Sequence, residues 1–124
     1  MDFIASNDAP HAIGPYSQAV RSGNLIFLSG QIPLDPKSGN LIDGDFSKQA
    51  HRVFDNLRAV LRAAGADFRH VTRATVYLTD LGNFQTLNSI YGEYFGDHKP
   101  ARSTVGVAQL PRGAALEIDL IAML

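Results

Sequence analysis

Cysteine is absent from all 124 residues, which excludes disulfides, thiolate nucleophiles and Cys-ligated metal sites. A surplus of positive charge is missing as well. Eleven Lys and Arg against twelve Asp and Glu leave a formal charge of −1, so non-specific binding of a nucleic-acid backbone has no electrostatic support and nucleic acid is not an expected partner. No apolar run is long enough to span a membrane. The first residues, with Asp2, lack the cationic-then-apolar order of a secretory signal, and the cytoplasm is the expected compartment. Metal ligation finds no pattern: His11, His51, His70 and His98 are scattered without ligand spacing, and Asp43 and Asp45 flank a glycine with no calcium-loop ladder after them. Repeats, linkers and low-complexity segments are lacking too. One domain over residues 1–124, with one core, is expected.

What is present reads as α+β. Gly14-Pro15 opens the ordered part, Tyr16 to Arg21 reads as a strand, and Ser22-Gly23-Asn24 turns into the apolar run Leu25 to Leu28, as in a hairpin. Asp35 to Asn40 is dense in turn formers and predicts an exposed loop. Phe46, Ala50, Val53, Phe54, Leu57, Val60, Leu61 and Ala64 recur at helical spacing, with Asp45 as N-cap and Gly65 as terminator. Arg52, Arg58 and Arg62 lie off that stripe and read as a solvated outer face. Val71 to Leu78 alternates as a strand, a second helix is expected from about Asn83 to Phe95, and Ser103 to Ala108 with Ala115 to Met123 reads as a final hairpin. Five strands and two helices predict a sheet with both helices on one face. The apolar Leu25–Leu28 run, with Ile121 and Met123 pointing away from the Leu116 side, then calls for a partner on the open face, so a homo-oligomer is expected.

Two residues carry candidate chemistry. Arg102 sits at a strand entrance in Pro100-Ala101-Arg102-Ser103-Thr104, and Glu117 lies on what reads as the partner strand. A guanidinium fork grips a small carboxylate bidentately, and a glutamate can position or deprotonate water. A surface ion pair in a hairpin is the competing reading of the pair.

Gly14-Pro15-Tyr16-Ser17-Gln18-Ala19, Leu28-Ser29-Gly30-Gln31-Ile32-Pro33, Pro100-Ala101-Arg102-Ser103-Thr104-Val105, and Leu110-Pro111-Arg112-Gly113 with Glu117-Ile118 stand in the order and near-spacing of one family. Along nearly its whole length the chain resembles the RidA (YjgF-type) reactive intermediate deaminases. The resemblance implies a chorismate-mutase-like α+β fold and a homotrimer with sheets lining the centre, helices outside and ligand clefts between subunits. It implies cofactor-free, metal-free hydrolysis of 2-enamine or 2-imine carboxylates, such as 2-aminoacrylate, to 2-oxo acids and ammonia. By the same resemblance Arg102 holds the substrate carboxylate, Glu117 holds the water, Tyr16, Ser29 and Asn88 shape the cleft, and backbone near Gly30 and Thr104 meets the ligand. Against these roles stand plainer ones: an interface aromatic for Tyr16, a strand end for Ser29, a solvated helix position for Asn88.

Two departures from the family pattern bear on the cleft. Thr104 stands where many relatives carry cysteine, and it reads as a wall residue. Gly96-Asp97-His98-Lys99 before Pro100 reads as shorter than usual, which alters the cleft rim. Whether Glu117 is ionised throughout the cycle stays open at this stage. Other functions compatible with the family are a non-catalytic small-acid sensor and a ribonuclease or translation inhibitor, the latter without a basic surplus or aromatic-basic interleaving to support it.

Overall fold

The computed structural model of the protein describes residues 1–124. Its elements are β1 (Asp2–Ile4), β2 (Ala19–Ser22), β3 (Leu25–Gln31), α1 (Phe46–Ala63), β4 (Val71–Leu78), α2 (Phe84–Phe95), β5 (Ala101–Gly106) and β6 (Leu116–Met123). The strands form one sheet in the order β1-β2-β3-β6-β4-β5. Six strands replace the five read from sequence. The added strand, β1, precedes the Gly14-Pro15 pair that was expected to open the ordered part. Buried Gln18 holds the segment after β1 in place: its amide donates to the carbonyls of Ser6 (3.1 Å) and Pro10 (2.8 Å), and its carbonyl accepts from the Ser6 N–H. A buried amide with three backbone partners fixes an otherwise irregular run.

The final hairpin does not exist. β5 and β6 are consecutive in sequence, yet β4 lies between them, parallel to β5 and antiparallel to β6. β4, α2 and β5 make a strand–helix–strand crossover, the connection a parallel pair requires. Arg102 and Glu117 are therefore not on neighbouring strands.

Both helices cover one face, as the patterning requires. Leu116, Ile118, Leu120 and Ala122 of β6, with Ala74, Val76 and Leu78 of β4, point to the helices and are buried. They meet Val53, Phe54, Leu57, Val60 and Leu61 of α1 in a single core cluster. The Asp45 side chain accepts from the Lys48 N–H at 3.0 Å and caps α1, and Gly65, at φ +78°, lets the chain leave it. No helix is long and apolar enough to cross a membrane. Arg58 departs from the solvated role read for it. Its guanidinium lies over the rings of Tyr94 (4.9 Å) and Phe68 (5.6 Å), and the side chain seals the aromatic end of the core.

The other face has no helix. Across it, register partners Phe3 and Val20, Val20 and Phe27, and Phe27 and Ile121 form an apolar row, with Met123 beside it. Phe3 is 73% exposed and Phe27 43%. Further along β6 the same face turns polar at Asp119 and Glu117.

Candidate functional site

Residues of a strand alternate between faces, so register decides which candidates can meet. Arg102 pairs with Ala74 and Thr104 with Val76, and both therefore point to the helix side. Glu117 pairs with Tyr77, on the helix-free side. The structure thus divides the sequence-predicted residues into two groups on opposite faces of one sheet.

The first group surrounds Arg102. Its guanidinium lies 4.8 Å from the ring centroid of Tyr91 and 5.6 Å from that of Phe84, two residues about two turns apart on α2. Aromatic faces hold a cation without using its N–H groups. The fork makes no hydrogen bond or ion pair with any side chain or backbone group of the chain, so its donors are free for a ligand. Around it, Asn88 Oδ1, Tyr91 Oη and Thr104 Oγ1 are buried without a hydrogen-bond partner in the chain. One such orphan costs about 1–3 kcal/mol. Three beside an unpaired guanidinium mark a place built for a polar ligand. Asn88, Tyr91 and Arg102 line a cleft of ≈ 480 Å³ that ends at Lys99 and Pro100. Burial raises the Tyr91 phenol, against the opposing pull of Arg102, so the hydroxyl keeps its proton and remains a donor. β5 is also the edge of the sheet, which leaves its outer backbone groups unpaired.

Tyr91 was not singled out from sequence. At helical spacing beside Leu87 and Phe95 it has the pattern of a core residue, and the only available signal is its position three residues after Asn88.

The second group surrounds Gly30. β3 carries a bulge: Leu28 pairs with Leu120 and Gln31 with Ile118, so Ser29 and Gly30 together face Asp119. The Ser29 hydroxyl donates to Ser17 O at 2.6 Å and ties the bulge to the segment leading into β2. Gly30 is glycine because Glu117 crosses over it; a Cβ there would lie 2.8 Å from Glu117 Cδ. Burial, with added repulsion from Asp119, raises the Glu117 carboxyl above its ordinary value. Asp119 is itself engaged by the Tyr77 hydroxyl at 3.0 Å. Tyr16 and Gly30 line a smaller hollow of ≈ 230 Å³ with Arg112 at its rim. Within one protomer, then, Asn88, Thr104 and Arg102 come together, and Tyr16, Ser29, Gly30 and Glu117 lie apart from them.

The family model described as Endoribonuclease L-PSP matches residues 6–124. The protein DfrA of Myxococcus xanthus is 57% identical over 122 residues, covering 97% of this chain and 93% of that protein. The 2-iminobutanoate/2-iminopropanoate deaminase of mouse is 48% identical over 120 residues, covering 97% of this chain and 89% of its own length. Among solved structures, TdcF of E. coli with bound serine superposes with a TM-score of 0.95 at 41% identity, covering 100% of this chain and 99% of that one.

Proposed function

The chain belongs to the Endoribonuclease L-PSP family, that of the RidA-type proteins, and from this membership and the two half-sites we propose that it hydrolyses 2-imino and 2-enamino carboxylates to 2-oxo acids and ammonia in a cleft shared by two copies of the chain. The observation that carries the reading is the unpaired Arg102 fork beside three orphaned buried polar atoms. Homologues named as imine deaminases, and a relative solved with an amino acid bound, support it.

In this reading Arg102 takes the substrate carboxylate bidentately and, by its charge, makes the adjacent C=N carbon more electrophilic. Asn88 Oδ1 accepts from the imine or enamine N–H, and the Tyr91 and Thr104 hydroxyls donate to the carboxylate. Glu117 of the neighbouring copy holds the water. An enamine first takes a proton at C3 and becomes the iminium. Water oxygen then bonds to C2 as Glu117 removes its proton, giving a carbinolamine. That proton passes to nitrogen, the C–N bond breaks to release ammonia, and the C2 hydroxyl gives its proton to Glu117 as it becomes the ketone. Orienting substrate and water suffices for so reactive a substrate, which suits a small site. The homotrimer implied by the sequence resemblance, with the apolar sheet faces turned inward, supplies the neighbouring copy. The direct test is release of 2-oxo acid and ammonia from 2-aminoacrylate generated by a pyridoxal-phosphate-dependent dehydratase, with and without the protein.

The raised Glu117 carboxyl sets the pH dependence. The ionised form is the active one, so kcat/KM falls as pH drops through that raised value, sooner than an ordinary carboxylate would make it fall. Asp119→Asn removes one cause of the shift and is expected to move this acid limb to lower pH; an unmoved limb would assign it to another group. Stability runs the other way. The folded chain holds the Glu117 proton more tightly than the unfolded chain, so stability present below the unfolded pKa is lost as pH rises through the folded one. Glu117→Gln is therefore expected to raise Tm at neutral pH while lowering turnover, as melting and steady-state rates on one preparation will show. Unchanged turnover would leave Glu117 a structural neighbour only.

A further inference from the structure

The cleft around Arg102 is more cationic than one carboxylate requires. Lys99 and His98 line it together with Arg102, and none of the residues that one chain contributes to its lining is acidic. Lys99 is in no ion pair. The His98 ring is fixed: its Nε2–H donates to Val71 O at 2.6 Å, which anchors the run before Pro100 to the sheet. Two of the three bases therefore come from Gly96-Asp97-His98-Lys99, and Lys99 lies three residues before Arg102. The cleft also has room. Gly92 and Gly96 form part of its wall, and a Cβ added at either meets nothing within 4 Å. A three-carbon acid gripped by Arg102 leaves the Lys99 charge unused.

We propose that this site prefers 2-imino acids that carry a second carboxylate at the end of a short side chain, with Arg102 on the C1 carboxylate and Lys99 on the distal one. The proposal rests on the reading of the cleft as the acid-binding half of a deaminase site and names the substrate class within it. Hydrolysis is the same step as before: water adds to C2, the C–N bond breaks, and a 2-oxo diacid and ammonia leave. The distal carboxylate is not consumed. Lys99 is exposed, so its attraction is screened by salt, and the preference is expected to shrink as ionic strength rises.

Binding of stable products separates this proposal from the deaminase reading. The full-length assembled protein would be titrated with 2-oxoglutarate and with 2-oxobutanoate, and turnover measured on the corresponding imines generated in situ by a flavin amino-acid oxidase. A preference for the diacid of about threefold, near 0.7 kcal/mol, is expected in both binding and kcat/KM at low salt. Lys99→Ala should lower the diacid-to-monoacid ratio toward one, and Lys99→Glu should invert it. Diacid preference in binding with no acceleration of either imine would support the specificity of the cleft and overturn the deaminase reading. Acceleration of the monoacid imine, with a ratio at or below one and no response to Lys99 substitution, would overturn the proposal and leave the deaminase reading standing.

Discussion

Arg102→Ala is expected to lower kcat/KM for 2-aminoacrylate hydrolysis by about two orders of magnitude or more, with fold and assembly retained. A desolvated guanidinium–carboxylate contact contributes a few kcal/mol, about two decades in rate when it is held through the transition state. The fold should tolerate the loss, because the Arg102 side chain is in no ion pair or hydrogen bond of the chain and contributes only its stacking on Tyr91 and Phe84. Arg102→Lys should be nearly as poor. An ammonium on a flexible stem keeps the charge but loses both the two-pronged grip and the planar stack. Coupled assays on both variants, with light scattering to verify assembly, provide the check. Near-normal rates in Arg102→Ala with assembly intact would remove Arg102 from the site.

Ile121→Asp is expected to dissociate the assembly and to abolish activity with it. Ile121 is the register partner of Phe27 in the middle of the apolar row on the helix-free face. In a single chain Ile121 is only half-buried, so a carboxylate there still reaches water. Enclosed against a second copy it is an unpaired buried charge, a cost of several kcal/mol. The variant should therefore melt cooperatively as a smaller species and release no more ammonia than buffer. Phe27→Asp, at a position 43% exposed in the single chain, serves as the independent second variant. A dissociated yet fully active protein would contradict any account in which two copies share the cleft.

Much of this architecture was legible in the residues and some was not, for physical reasons. α1 was clear because its apolar stripe, its Asp45 cap and its Gly65 exit all agree locally. The alternation of β6 showed which of its residues face the helices, and hence that Ile121 and Met123 do not. Strand order was a different matter. Pairing between β4 and its neighbours is set by residues far apart in sequence, so the short β5–β6 connection suggested a hairpin that the sheet does not contain. The strand–helix–strand run of β4, α2 and β5 was the available cue that β5 returns parallel to β4. That error put Arg102 and Glu117 side by side. Register instead places them on opposite faces of the sheet. β1 escaped notice because three residues carry too little pattern, and because the anchor of the segment that follows it, Gln18, is a buried polar side chain that hydropathy reads as exposed.

A site shared between copies makes one demand that no single variant tests. Arg102→Ala and Glu117→Gln protein, each inactive or nearly so, would be mixed, dissociated and allowed to reassemble, and the coupled assay run on the mixture. If one copy supplies the Arg102 half and its neighbour the Glu117 half, random assembly restores about a quarter of the clefts to two intact halves. Activity of the mixture is then expected to rise to about a quarter of the native rate. Activity that stays at the level of the two variants, in a mixture verified to have exchanged subunits, would mean that both residues act within one chain and would contradict the account.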